Sequence, residues 1–340
     1  MQHCLTILLV LSTIGIVWAN GDPKVYRPVR CELVPLPNHQ VSFRIDGMEM
    51  TRWHYGPDYP RPFFYPFNGP SGVSLTRMGH PGASDHDHHR SVWFAFHKVN
   101  DDLNFWADGT GTQIRQKQWF AYKDGDDEAI MACALGYFDK EGAEVMEQTT
   151  VAAIRPGVDG YELELQISLH PPENLETVEL RKTNFGPLAV RVAKSLSEHF
   201  GGGQLTNSEG ALGEPDIFGK PARWVDYSGP VVVGSGQERN ISKEGITYID
   251  HPTNLRHPTK WHVRSDGWMG ASVCMDTGIT MTAEKPLVLR YLLIAHSGGC
   301  DAALANASAK AFAERPLFEV GKRRTKHRPW EVWRKTVERE

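Results

Sequence analysis

The sequence predicts an all-β protein, a large antiparallel β-sandwich with one C-terminal helix. Three observations carry this. Tyr161–Leu169 alternates without a break, placing Tyr161, Leu163, Leu165, Ile167 and Leu169 on one face and polar residues on the other, which is the period of a half-buried antiparallel strand. The 32 Gly and 22 Pro punctuate segments rich in the 10 Trp, 10 Tyr and 14 Phe, the composition of strands joined by tight turns. Only residues 301–314 read as a long helix, alanine-rich, with Asp301 as N-cap and Pro316 just past the end.

The elements follow in chain order. Residues 1–19 lack Lys, Arg, Asp and Glu, and Leu5–Val17 is almost wholly apolar. That run is short of the roughly 20 residues a membrane span needs. Val17-Trp18-Ala19 offers small residues at the two positions a signal peptidase reads. Cleavage is therefore expected after Ala19, giving a periplasmic or secreted protein with no integral membrane association. Loss of Cys4 leaves Cys31, Cys133, Cys274 and Cys300, widely spaced and without a CxxC. Disulfides are allowed by that count, and buried thiols are the favoured reading. Val41, Phe43 and Ile45 alternate up to an Asp46-Gly47 hairpin turn, beyond which Met48 and Met50 continue. Further strands are expected at 91–97, 129–135, 145–154 and 287–295. No low-complexity linker divides residues 20–318, so a single domain over 20–320 is expected. Lys322, Arg323, Arg324, Lys326 and Arg328 then mark 321–340 as a basic tail. It reads as a solvated terminus, with contact to a polyanion as the alternative.

Charge and motifs exclude several functions. Lys plus Arg is 37, Asp plus Glu is 41 and the formal net charge is −4, so nucleic acid is not an expected partner. The chain has no P-loop, no GxGxxG and no GxSxG, and no cofactor is expected.

Histidine distribution points to the site. His80, His86, His88, His89 and His97 fall within one short window and His251, His257 and His262 within another. In the first, a Gly-Pro-Gly loop leads through Asp85-His-Asp-His-His-Arg90 into a strand, so a rigid sheet presents imidazoles beside Asp85 and Asp87, which can orient them. In the second, two His-Pro pairs hold extended backbone around Asn254 and Arg256. Imidazole titrates near working pH and suits general acid/base chemistry on a neutral polyhydroxylated substrate. We assign His88, His89 and Glu209 as the catalytic group, one His acting as acid and Glu209 as base. His80, His86, Arg90, Trp106, Arg191, His251, Asn254 and Arg290 are assigned to substrate binding, with Asn104-Phe-Trp106 as a sugar platform and Arg290 as a charge that needs a partner inside an apolar strand. The His88 group is expected to face His251 and Asn254 across one end of the sandwich. A metal site remains open, with His86, His88 and His89 as its local ligands, as does a purely structural loop.

His80-Pro81, Asp85-His-Asp-His-His-Arg90, Trp93, Asn104-Phe-Trp106, Trp224-Val-Asp-Tyr-Ser-Gly229, Asp250-His-Pro-Thr-Asn254 and Arg290-Tyr291 occur in this order. Together they resemble a family of exported bacterial proteins of unknown function that commonly carries the label methane oxygenase PmoA, over roughly residues 30–300. The membrane subunit behind that label has many membrane helices, whereas this chain offers one short apolar run, so the oxygenase activity is not carried over. The resemblance implies a β-sandwich of the galactose-mutarotase supersandwich kind, a fold that hosts epimerases, lyases, hydrolases and non-catalytic sugar binders. The expectation is an exported carbohydrate-active protein, an enzyme acting on a sugar or glycoside. Its alternatives are a non-catalytic glycan-binding module and a metal-dependent oxidoreductase or hydrolase.

Overall fold

Two eight-stranded sheets, antiparallel throughout, build most of the protein, with a smaller pair of β10 (Thr177–Leu180) and β17 (Ile279–Thr282) beside them. The computed structural model describes residues 27–80, 82–83 and 86–335. The expected signal segment 1–19, Pro81, Asp85 and the last residues of the expected basic tail lie outside the described residues. The first sheet runs, in spatial order, β1 (Cys31–Leu36), β2 (Gln40–Ile45), β3 (Met48–His54), β4 (Phe63–Phe67), β5 (Val92–Phe94), β11 (Leu188–Arg191), β16 (Trp268–Ala271) and β15 (Trp261–Arg264). The second runs β12 (Gln204–Asn207), β13 (Trp224–Val233), β14 (Asn240–Asp250), β18 (Leu287–Ser297), β9 (Gly160–His170), β8 (Glu144–Pro156), β7 (Ala129–Phe138) and β6 (Gln113–Lys123). Among the described residues no helix is long and apolar enough to cross a membrane.

Local chemistry explains the elements. Asp46 and Gly47 both take positive φ, 51° and 78°, the pairing a two-residue hairpin turn of primed type demands. Val41, Phe43 and Ile45 of β2 are buried as the alternation requires. After the short helices α1 (Glu198–Gly201) and α2 (Gly213–Ile217), the helix α3 (Ala302–Ala313) starts where Asp301 accepts hydrogen bonds from the N–H groups of Ala303 and Leu304. The strand expected over 91–97 is shorter, because Ser91 sits at φ 55°, and regular pairing holds only over Val92–Phe94.

The alternation of β9 is correct, but its polar face is not wet. Glu164 and Gln166 are both buried. Their cover is a hairpin of β19 (Phe318–Thr325) and β20 (Arg328–Arg334), folded onto the second sheet through Phe318 and Val332 against Ile130, Ala132, Val151 and Ala153. Gln166 exchanges two hydrogen bonds of 2.8 Å with the backbone of Phe318. The segment expected as a solvated basic terminus is thus largely structural, held because the second sheet would otherwise expose an apolar strip. All four described cysteines carry free thiols, three of them buried.

Candidate functional site

The site is made by the alternation of four strands in the first sheet. Trp261 meets Tyr248 of β14 edge-on, with centroids 4.8 Å apart, so Trp261 and its register mates Val263, Met269 and Val190 point into the sandwich. The alternate set faces outward. It comprises Trp93, Ala189, Gly270 and His262 in one row, with Arg191, Trp268 and Arg264 in the next. Two small residues in the first row leave room above the sheet. A Cβ on Gly270 would meet Trp268 Nε1 at 3.4 Å, so the indole lies close over this strand.

Loops close the space above this face into a cavity of about 380 Å³, lined by His86, His88, His89, His97, Asn104, Trp106, Ala107, Phe185, Arg191, His262, Arg264, Asp266 and Trp268. That is the size of a site for a small ligand. Trp93, Trp106 and Trp268 pack against one another with centroids 5.1–5.4 Å apart. His89 lies against Trp93 and Trp268. His86, His88 and His89 crowd together at centroid distances of 4.4–5.8 Å. Buried Arg61 fixes the loop, donating to the carbonyls of His88, Phe105 and Ala107 and to Asp108.

The imidazoles differ in character. Burial, reinforced by the neighbouring His88, Arg191, His86 and His80, pushes His89 far below its ordinary value, so it is a neutral ring. Its Nδ1 is buried without a partner among the described residues. Burial, with Arg264 beside it, brings His262 down to about 4. His262 Nδ1 donates to the Asn184 carbonyl at 3.0 Å, which fixes the tautomer and leaves Nε2 as an acceptor. Asp266 accepts two hydrogen bonds from Arg191, at 2.7 and 3.1 Å, and lies 2.8 Å from His80 Nε2. Burial would raise this carboxyl, but Arg191 and His80 hold it down at about 2, so it is ionised throughout the working range.

Of the expected residues, His86, His88, His89, Trp106 and Arg191 line the cavity, and His80 reaches it through Asp266. The others do not. Arg90 is buried, forks onto Asp108 and covers the Tyr59 ring, so it braces the loop from behind. Glu209 is exposed on a turn and bonded to Ser208. It does not line the cavity, because its Gly-rich loop belongs to the edge strand β12 of the other sheet. His251, Asn254 and Arg290 form a separate buried network. His251 takes the Thr253 N–H and reaches the Phe312 carbonyl under α3. Asn254 bonds Asp250 and both backbone groups of Arg290, while Arg290 pairs with Glu164 at 2.9 Å. Each has its partners inside the fold, which is why none faces a ligand. The expected meeting of the two His windows at one end of the sandwich is replaced by an outward-facing site on one sheet, to which the second window contributes only His262. Among the described residues no three His, Cys, Asp or Glu side chains converge as metal ligands, the His86, His88 and His89 trio included. Sequence reasoning singled out His262 without giving it a role and missed Phe185, Arg264, Asp266 and Trp268. The Trp261-His-Val-Arg264 alternation is the signal that could have placed His262 and found Arg264, since it puts both polar residues on one face of a strand.

A family model described as a family of unknown function (DUF6807) matches residues 40–310. The chain belongs to that family. The match covers both sheets except β1 and includes every residue that lines the cavity. No curated protein matches the chain.

Proposed function

We propose that this DUF6807 member is an exported carbohydrate-active enzyme that takes a sugar or glycoside into the outward-facing cavity and acts on it by imidazole acid/base chemistry. The observation that carries the reading is the presence, in one small cavity, of aromatic walls and of imidazoles that differ in burial, with His89 and His262 held neutral. Trp106, Trp268 and Phe185 supply apolar faces on which the C–H face of a pyranose stacks. His262, neutral and of fixed tautomer, accepts a proton at Nε2. His88, at the cavity and only partly buried, keeps contact with solvent and serves as the acid. Asp266 takes the place first given to Glu209 as the carboxylate of the site, and it positions Arg191 and His80 without titrating. A sandwich of two antiparallel sheets is also the architecture that the mutarotase-type resemblance implies, which supports the sugar reading by analogy.

The test is a screen of the purified protein against monosaccharides, oligosaccharides and aryl glycosides, with product detection by chromatography and anomeric exchange by NMR. Turnover that falls at least 100-fold in His88→Ala or His262→Gln supports the reading. Binding without turnover would make the protein a glycan-binding module, and neither binding nor turnover would overturn the sugar assignment.

A further inference from the structure

We infer that the sugar taken by this cavity is anionic, bearing a carboxylate or another oxyanion that lies along the wall of Arg191 and Arg264; this rests on the sugar reading above. Arg191 stands directly opposite Trp268 in the sheet, and Trp268 directly opposite Arg264. Both arginines line the cavity, one on each side of the indole. Each has one carboxylate to hold it: Asp266 for Arg191 and Glu214 for Arg264, at 2.7 Å in both cases. Behind Arg191 stands a third guanidinium, Arg77, which has no carboxylate of its own among the described residues. Its Nη2 donates to the Asp266 carbonyl at 2.9 Å, while its Nε and Nη1 are buried without partners among the described residues. Three guanidinium groups therefore share two carboxylates. Burying a cation without a counter-charge is costly, and a bound anion supplies one.

Apart from His89 Nδ1, the unmet hydrogen-bonding capacity around the cavity has the same sign. Among the described residues, Arg191 Nε and the Nε1 atoms of Trp106 and Trp268, all in residues that line the cavity, are buried without acceptors, and all are donors. Asp266 is the one described carboxylate lining the cavity, and Arg191 and His80 already occupy it. A neutral sugar presents hydroxyls that must both give and accept. A carboxylate only accepts, which matches a wall rich in donors and poor in free acceptors.

The experiment titrates the intact protein by tryptophan fluorescence, since Trp106 and Trp268 line the cavity. Matched pairs are used: glucuronate against glucose, galacturonate against galactose, and glucose 6-phosphate as a second oxyanion. The expected result is that the acidic member binds at least tenfold more tightly than its neutral partner. The preference should shrink as salt rises and fall to near one in Arg264→Gln. The Arg264 side chain is 45% exposed, so that replacement leaves the fold intact, and circular dichroism checks it. Whether the uronates or the phosphate bind better identifies the oxyanion, and either result supports the inference. Equal affinity for acidic and neutral partners, or a preference that survives Arg264→Gln, overturns the inference and leaves the sugar reading standing. Failure of every sugar to bind overturns both.

Discussion

Arg191 and Asp266 grip each other through two parallel hydrogen bonds, 2.7 and 3.1 Å long, at the wall of the cavity. Arg191 is fully buried at the end of β11, whereas Asp266 sits in the turn between β15 and β16. The pair therefore ties two adjacent strands together where they leave the sheet. It also sets the charge of the site, because His80 meets the same carboxylate.

Asp266→Asn should lower stability and loosen the wall. The substitution removes the counter-charge of Arg191 and leaves Arg77 and Arg191 side by side. Loss of one partner of a fully buried pair costs about 3–5 kcal/mol; with the Asp266 side chain 31% exposed, solvent screening reduces this to about 1–3 kcal/mol. In a domain of this size that is a fall in Tm of roughly 1.5–5 °C, measurable by calorimetry. The pH dependence has a definite sign. The folded-state carboxyl, at about 2, lies below its ordinary 3.8, so its contribution is complete above about 4 and is lost as pH falls from 4 towards 2. Asp266→Asn should flatten the stability profile in that window. An unchanged acid limb would show that the pair does not support the fold.

Substitutions at the histidines should separate the site from its surroundings. His88→Ala and His262→Gln are expected to reduce turnover of any sugar substrate at least 100-fold. Glu209→Ala should change it less than twofold, because Glu209 is exposed on a distant turn. His251→Ala should act on stability, since that ring is buried against Phe312 beneath α3. A Glu209→Ala variant as inactive as His88→Ala would return the base to that loop and refute the assignment of Asp266 as the carboxylate of the site.

The thiols should be silent. Cys31, Cys133 and Cys274 are buried, and burial pushes Cys31 up to about 11, Cys274 to about 12 and Cys133 higher still. Cys300, only partly buried, is also pushed up to about 12 by burial and by Asp226 and Asp301. Thiolate is the reactive form. The native protein is expected to react slowly with an aromatic disulfide reagent at pH 8 and to keep its Tm when reductant is added. Prompt release of chromophore, or a Tm lowered by reductant, would contradict the free buried thiols.

What was legible in the sequence is what is local. The alternation of β9 and the capped helix α3 depend on neighbours a few residues apart, and both are found. The crowd of His86, His88 and His89 is likewise local. The remainder of the site is assembled by sheet register. Arg191 meets Trp268 only because β11 pairs with β16, some 75 residues later in the chain, and no periodicity in either segment announces that pairing. Arg290 shows the opposite failure. A charge within an apolar strand does need a partner, and it has one in Glu164 on the adjacent strand β9, so burial of the charge marked a structural pair and not a ligand contact.

Glu164 should prove a keystone of the C-terminal hairpin. It is buried on β9 and meets Arg290 at 2.9 Å, Arg334 at 3.0 Å and Arg315 at 3.5 Å. Those arginines come from β18, from β20 and from the segment after α3, so one carboxylate joins the sheet to everything folded upon it. Burial alone would raise Glu164, but hydrogen bonds and charge from Arg334 and Arg290 bring it below its ordinary value. Its stabilising contribution is therefore complete above about 4.5 and is lost as pH falls below that. Glu164→Gln keeps the shape and removes the charge, leaving Arg290 buried without a counter-ion, at a cost of about 3–5 kcal/mol. Hydrogen exchange followed by mass spectrometry locates the effect. Protection should fall first in residues 318–334, while β15 and β16, which carry the cavity, keep theirs and sugar binding persists. Uniform loss of protection across both sheets would show that the hairpin is not a separable unit, and full protection of 318–334 would show that Glu164 does not hold it.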